Sequence, residues 1–133
     1  MLRALFEGVA FEHRRHVEVL RAAGIRFERA SLSGGGARSA VWPQIFADVL
    51  GIPVTVPVSA EAGALGAAIA AGVAAGAFAD LAEAVRAMTA ERAGFSPDPG
   101  MAALHDARYR TYGMLTEAMR PLWREMAGVD GEA

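Results

Sequence analysis

The stretch "ASLSGGGARSAVWPQ", Ala30–Gln44, decides how the chain is read. A short apolar run enters three consecutive glycines, and Ala37, Arg38 and Ser39 lead out of them into a helical pattern. Val41, Trp42, Ile45, Phe46, Val49 and Leu50 recur at helical spacing and predict one buried face. Ser39 is the expected N-cap, and Pro43 falls in the first turn, where its missing N–H costs little. Gly51 ends the helix. Backbone N–H groups at a helix start are unpaired, and the helix dipole adds partial positive charge there. Glycines let a ligand approach the backbone closely, and phosphate groups suit such a place. Arg38 either adds a charge or is simply solvated. Two readings stand on these residues alone: a turn that holds a phosphate-bearing ligand, and a tight strand–helix turn that holds nothing.

Upstream, Ile25 to Ser33 alternates loosely and predicts a strand feeding the glycines. Leu2, Leu5, Phe6, Val9, His13, Val17 and Leu20 repeat at three and four and predict an amphipathic helix ending before Gly24. Downstream, Ile52 to Val58 is a β-branched run with prolines near its ends, a second short strand. Ser59 or Ala60 is expected to open an Ala/Gly helix that stops near Gly76, and Asp80 to cap a short helix to about Thr89. Ala90 to Gly100 reads as a Pro- and Gly-rich loop. Met101, Leu104, Tyr112, Leu115, Met119, Leu122 and Met126 carry a long last helix that Pro121 should kink. "GVDGEA" reads as a frayed tail. Strands alternating with helices imply parallel pairing. Two strands make a poor sheet on their own, so the expected class is α/β, helix-rich, with about two short strands of a larger sheet.

The length of 133 residues fits one small domain, and 53% hydrophobic content provides for a core. A net charge of −2 gives no electrostatic case for nucleic acid or an acidic membrane. There is no cysteine, hence no disulfide, thiolate metal site or thiol nucleophile, which suits a reducing cytoplasm. All 13 basic residues are arginine. That excludes a P-loop lysine, a Schiff-base lysine and a lysine general base. Glu7 and Glu12 interrupt the N-terminal apolar run, which is helical and unlike a signal peptide. Ala62 to Ala79 carries no charge, but Leu65, Ile69 and Val73 make only one narrow stripe on it. Packing inside a soluble domain is expected there, not a membrane span.

Two phosphate motifs fail. Walker A needs a lysine; the dinucleotide fingerprint fits at Gly34 and Gly36 but finds Ser39 in the third place, with Asp48 and Asp80 at the wrong distance for the ribose. A third pattern fits. "GGGARSAVWPQIFADVLGIPVTVPVSAEAGALGAAIAAGVAAG", residues 34–76, resembles the C-terminal domain of the FGGY carbohydrate kinases, sugar and polyol kinases of the actin-like ATPase superfamily with a ribonuclease H-like core. The signals are linked in order: Gly-Gly-Gly-Ala-Arg-Ser, Trp-x-Gln, Ala-Asp-Val-Leu-Gly, a short strand, and Glu-x-x-Ala-Leu-Gly-Ala-Ala. "RALFEGVAFEHR" resembles the family's preceding helix, and the resemblance runs from about residue 2 to 90. Text such as "DLAEAVRAMT" leans to the xylulose and polyol kinase branch.

The resemblance implies an adenosine site in which Gly34, Gly35 and Gly36 bring bare backbone against ribose and phosphates. It implies that Ser39 contacts the adenine side, where some members carry Asn, and that Gln44 borders the base. Glu61 is taken as structural, a cap for the helix that packs on the nucleotide lobe. The implied partners are ATP or ADP with Mg²⁺, and a sugar or polyol; no nucleic acid or membrane is implied. The family's general base, sugar contacts and Mg²⁺ contacts lie upstream of the matched stretch. Residues 1–133 are therefore expected to be the C-terminal part of the second, nucleotide-side domain, without the N-terminal sugar-binding domain. No catalytic residue is assigned, and the chain alone is expected not to phosphorylate anything.

Glu12, His13 and His16 suggest a metal pair, since residues three apart share a helix face, but H-x-x-H is not a known metal-ligand motif. "DARYRTYGM", Asp106–Met114, reads as a helix surface with partly buried rings. Gly72 and Gly76 read as a site of close packing. The competing function is a stand-alone binding or oligomerising module derived from such a kinase, because a truncated sheet leaves an open edge.

Overall fold

A computed structural model describes residues 2–59 and 61–128. The order is α1 (Leu2–Ala22), β1 (Ala30–Ser31), a 3₁₀ turn (Gly35–Arg38), α2 (Val41–Leu50), β2 (Val54–Pro57), α3 (Ala62–Ala74), α4 (Leu81–Met88), β3 (Glu91–Phe95), a second 3₁₀ turn (Pro99–Met101) and α5 (Ala102–Met126). β1 and β2 pair in parallel, with Ala30 opposite Val54 and Ser31 opposite Thr55, as expected for strands joined through a helix. β3 joins the other side of β2 in antiparallel sense, so the sheet runs β1-β2-β3.

Several expectations are corrected. The segment Ala90 to Gly100 is not all loop: Glu91–Phe95 is a strand, and the sheet has three strands rather than two. Glu-Arg-Ala-Gly-Phe has little intrinsic strand preference; its pairing with β2 makes it a strand. The strand expected over Ile25 to Ser33 shrinks to Ala30–Ser31, where Ala30 N–H donates to Pro53 and Leu32 N–H to Thr55. Ala40, not Ser39, is the backbone N-cap of α2, although the Ser39 hydroxyl still accepts from the Val41 N–H at 3.2 Å. α3 has Glu61 as its cap residue, without a capping bond from the side chain, and the Ser59 hydroxyl accepts the Glu61 N–H. Ala60 lies outside the described residues, as does the tail from 129 to 133. The long last helix is present as α5, Ala102–Met126, with Pro121 inside it. Asp80 caps α4 as expected, accepting from the Glu83 N–H at 2.7 Å.

The core lies between α2, the underside of β2 and the helix pair α1 and α5. Ile45, Phe46, Ala47, Val49 and Leu50 of α2 pack with Ile52 and Val54 below and with Ala10 and Phe11 above. α1 buries only part of the face its apolar spacing predicts: Phe6 and Val17 pack against the core, but the most buried residues lie beside that stripe. Glu7, Ala10 and Phe11 are inside, whereas Leu2, Leu5, Val9 and Leu20 are exposed. Glu7 is tolerated there because Arg108 grips both carboxylate oxygens, at 2.7 and 2.9 Å, and Arg3 donates at 2.8 Å. Burial pushes the Glu7 pKa up, but the Arg3 hydrogen bond and the Arg108 and Arg3 charges outweigh it, and the net displacement is downward. Ile69 of α3 is buried, with Leu65 and Val73 half-buried, as the narrow stripe predicts. No helix among the described residues is long and apolar enough to cross a membrane.

Candidate functional site

The glycine turn sits at the carboxyl end of the parallel pair, between β1 and α2. Gly34 holds φ 86° and ψ −168°, a backbone region essentially closed to residues with a Cβ. The turn closes with two long bonds, Ala37 N–H to Gly34 (3.1 Å) and Ser39 N–H to Gly36 (3.2 Å). A Cβ on Gly35 would meet nothing within 4 Å, so this residue presents open backbone. Gly36 has a different reason to be glycine. A Cβ there would overlap Cζ3 and Cε3 of the Trp42 indole, which lies against its backbone. Trp42 in turn stacks on Phe6 of α1 (5.1 Å between ring centroids) and Phe46 (5.9 Å). The tryptophan of the Trp-x-Gln pattern is thus a packing piece that ties the turn to the core.

A cleft of about 190 Å³ opens beside the turn, lined by Ser33, Gly34, Arg38, Ser59, Arg92 and the end of β2. Small-molecule sites usually run about 300–1,000 Å³, so this cleft has the size of one wall or subsite. Two guanidinium groups border it. Arg38 reaches the exposed Glu61 carboxylate at 3.5 Å, and Arg92 donates to the Ala37 carbonyl at 2.8 Å. Exposed pairs such as Arg38–Glu61 hold weakly, so Arg38 is available to an anion.

The sequence-predicted residues fall into two groups. Gly34, Gly35, Gly36 and Ser39 lie on one continuous turn, and of these four Gly34 lines the cleft. Gln44 is drawn elsewhere: its side-chain amide donates to Asp48 and to the Ser96 carbonyl, each at 2.8 Å. It borders a separate hollow with Arg3, Val41 and Met101. Asp48 also accepts the Asp98 N–H at 2.8 Å, so it pins the start of the second 3₁₀ turn to α2, the structural role its place in the helix suggests. Sequence reasoning missed Arg92, because it lay in a stretch read as loop. Two further groupings are placed. His13 leans edge-on against Phe46 with Nδ1 2.9 Å from the Val9 carbonyl, and His16 stands 3.7 Å from Glu12 on the surface. Among the described residues no three possible metal ligands come together.

In open α/β sheets, ligands commonly sit in a crevice outside the carboxyl ends of the parallel strands, which is where this cleft and the glycine turn lie. Residues 1–75 match the FGGY family of carbohydrate kinases, C-terminal domain. The chain belongs to that family. It is 34% identical over 125 residues to a probable L-xylulose kinase of Pasteurella multocida, covering 92% of this chain and 24% of the relative. It is 40% identical over 107 residues to an autoinducer-2 kinase of an Enterobacter species, covering 80% and 20%. Among solved structures, a xylulose kinase from Rhodospirillum rubrum superposes with a TM-score of 0.76 at 36% identity, over 92% of this chain and 25% of that one. The fold is therefore part of an actin-like kinase fold, as the resemblance implies. The chain spans about a quarter of the length of the curated relatives it matches.

Proposed function

We propose that the Gly34–Ser39 turn is one wall of the adenine-nucleotide site of an ATP-dependent carbohydrate kinase. The whole enzyme transfers the γ-phosphoryl group of ATP to a hydroxyl of a sugar or polyol, and the hydroxyl proton leaves to a base. The single observation that carries this is the cleft at the carboxyl end of β1 and β2, with open glycine backbone on one side and Arg38 and Arg92 at its border. Residues 1–133 are then the C-terminal part of the nucleotide-side domain of a cytoplasmic enzyme. The sugar-binding domain and the general base belong to the rest of a longer protein. Mg²⁺ arrives with the nucleotide phosphates, and none of the described residues is assigned to it. The kinases named among the relatives support a xylulose-type sugar as the substrate class.

The test is an ADP titration of the chain followed by backbone NMR. Signals of Gly34 to Ser39 are expected to move, and Gln44, held by Asp48 and Ser96, to move less. Gly35→Asp is a clean probe, because a side chain at Gly35 meets open space and the fold is expected to tolerate the change. The new carboxylate repels the phosphates, and affinity is expected to fall at least about tenfold, the worth of one like-charge contact in a partly desolvated site. Unmoved signals in wild type at millimolar ADP, or unchanged affinity in Gly35→Asp, would reject the assignment. The chain with ATP and any sugar is expected to give no turnover above a blank.

One observation favours a second reading, an oligomerising module. Large apolar side chains stand exposed on α1 and on the second half of α5, among them Leu5, Leu115, Trp123 and Met126. Surfaces of this kind mark interfaces. Sedimentation of the chain over a concentration series separates a monomer from a self-associating module.

A further inference from the structure

The glycine turn is poorly equipped to hold its own shape. It has three glycines, the residue type with most conformational freedom to lose, and only two bonds of 3.1 and 3.2 Å across it. Trp42 fastens it on the side of the core. What fastens it on the side of the cleft comes from β3.

The cause begins with Pro57, the last residue of β2. Proline has no N–H to give the ladder. Val56 pairs with Ala93, but Pro57 pairs with Glu91, so Arg92 is the extra residue of a β-bulge. Pairing resumes past it, with the Val58 N–H donating to the Ala90 carbonyl at 2.9 Å. A bulge re-aims the side chain of its unpaired residue. Here Arg92 crosses the end of β2, and its Nη2 donates to the carbonyl of Ala37, the buried residue of the turn, at 2.8 Å. Among the described residues no carboxylate forms a salt bridge with Arg92.

We propose that Arg92 is the positioning residue of the glycine turn: bulged out of β3 by Pro57, it holds the Ala37 carbonyl and so fixes the backbone that Gly34–Gly36 present to the nucleotide. The inference rests on the nucleotide reading for its purpose, and on the bulge and the hydrogen bond for its geometry. A turn fixed beforehand loses less entropy when it binds, which is where the gain in affinity arises.

The experiment uses the whole chain and two variants, Arg92→Ala and Arg92→Lys, followed by amide hydrogen exchange without ligand. In Arg92→Ala the amides of Ala37 and Ser39 are expected to exchange about tenfold faster, the low end of what a charged hydrogen bond is worth. Amides of Val49 and Leu50 in α2 should keep their rates, and Arg92→Lys, which retains a cationic N–H donor, should recover most of the protection. Unchanged Ala37 and Ser39 rates overturn the proposal. So does equal acceleration in α2 in both variants, because Arg92 would then be a strut for the whole sheet. The same samples are titrated with ADP. Affinity is expected to drop in Arg92→Ala in step with the exchange and to return in Arg92→Lys. Failure of wild type to bind ADP strikes the nucleotide reading alone, since the ligand-free exchange rates still judge Arg92.

Discussion

Helix α2 and the second half of α5 carry apolar stripes of the same period, and they meet opposite fates. Ile45, Phe46, Val49 and Leu50 are at most 7% exposed, whereas Leu115, Leu122 and Met126 are 48–82% exposed. The difference lies in what surrounds them. α2 is caught between β2 on one side and α1 on the other, so nearly every side chain it carries finds a neighbour. α5 makes its polar and aromatic contacts with α1 through its first half. There Arg14 reaches Asp106 at 2.7 Å and lies over the Tyr109 ring at 4.4 Å; Tyr109 donates to Glu18 and Tyr112 to Glu12. Burial, then the Glu18 hydrogen bond and charge, push the Tyr109 phenol up to about 12, so this donor stays protonated at neutral pH. The α1–α5 pair is thus closed along one seam by polar bonds and by Phe11 against the Tyr109 and Tyr112 rings, while Leu115, Leu122 and Met126 of the apolar spacing stay exposed. Periodicity identifies a face that is apolar; it does not say that the same chain covers it.

The largest effect that tests this contrast is Phe46→Ala. The ring contacts Trp42 and His13 and is 5% exposed. Its loss removes both transfer energy and packing, and about 3–5 kcal/mol of stability is expected to go. Chemical denaturation of the two proteins under one buffer measures it. A loss below about 1 kcal/mol would mean that α2 is not the centre of the core and would dissolve the contrast.

A smaller effect is expected from acid. His105, in the first half of α5, is fully buried, and neither ring nitrogen has a hydrogen-bond partner among the described residues. Burial lowers its pKa below the ordinary 6.5, against the pull of the Glu7 and Asp48 charges and with the help of Arg108 and Arg3. The unfolded chain therefore takes up the proton first. Stability is level above about pH 6.5 and declines as pH falls from there through the folded-state value. Glu7, displaced downward from 4.5, adds a second decline of the same sign below that pH. His105→Met keeps the volume apolar and should erase the first decline while leaving the second. Denaturation midpoints of both proteins between pH 7 and pH 4 decide it; a decline that persists unchanged in His105→Met would assign the effect to another group.

These residues also mark how far the sequence could be read. The face of α2, the glycine turn, the parallel strand pair, the Asp80 cap and the family were legible because each rests on local spacing or on a linked motif. β3 was not, because Glu91–Phe95 becomes a strand only by pairing with β2. The buried face of α1 was legible only in part, at Phe6 and Val17; Glu7 is inside because Arg3 and Arg108, the latter 101 positions away, reach it. Gly36 was legible as a required glycine but not for its reason, the Trp42 ring. Arg92 depends on a bulge, and a bulge is a fact of register between two strands that no single segment carries.

The smallest effect on the folded chain, and the sharpest test of the contrast, is expected at the far end of α5. Leu115→Ser and Met126→Ser each replace a side chain that is already mostly in water, so little apolar area is newly exposed. Surface changes of this kind stay within about 0.5 kcal/mol, against several for Phe46→Ala. If the stripe is unpartnered, the denaturation midpoint should be the same at low and high protein concentration, in wild type and in both variants. If instead a second copy covers the stripe, the wild-type midpoint rises with concentration by mass action, and the serine variants lose that rise. In that case α5 has the same logic as α2, with a neighbour supplied from outside the chain, and the contrast becomes one of where the covering surface comes from.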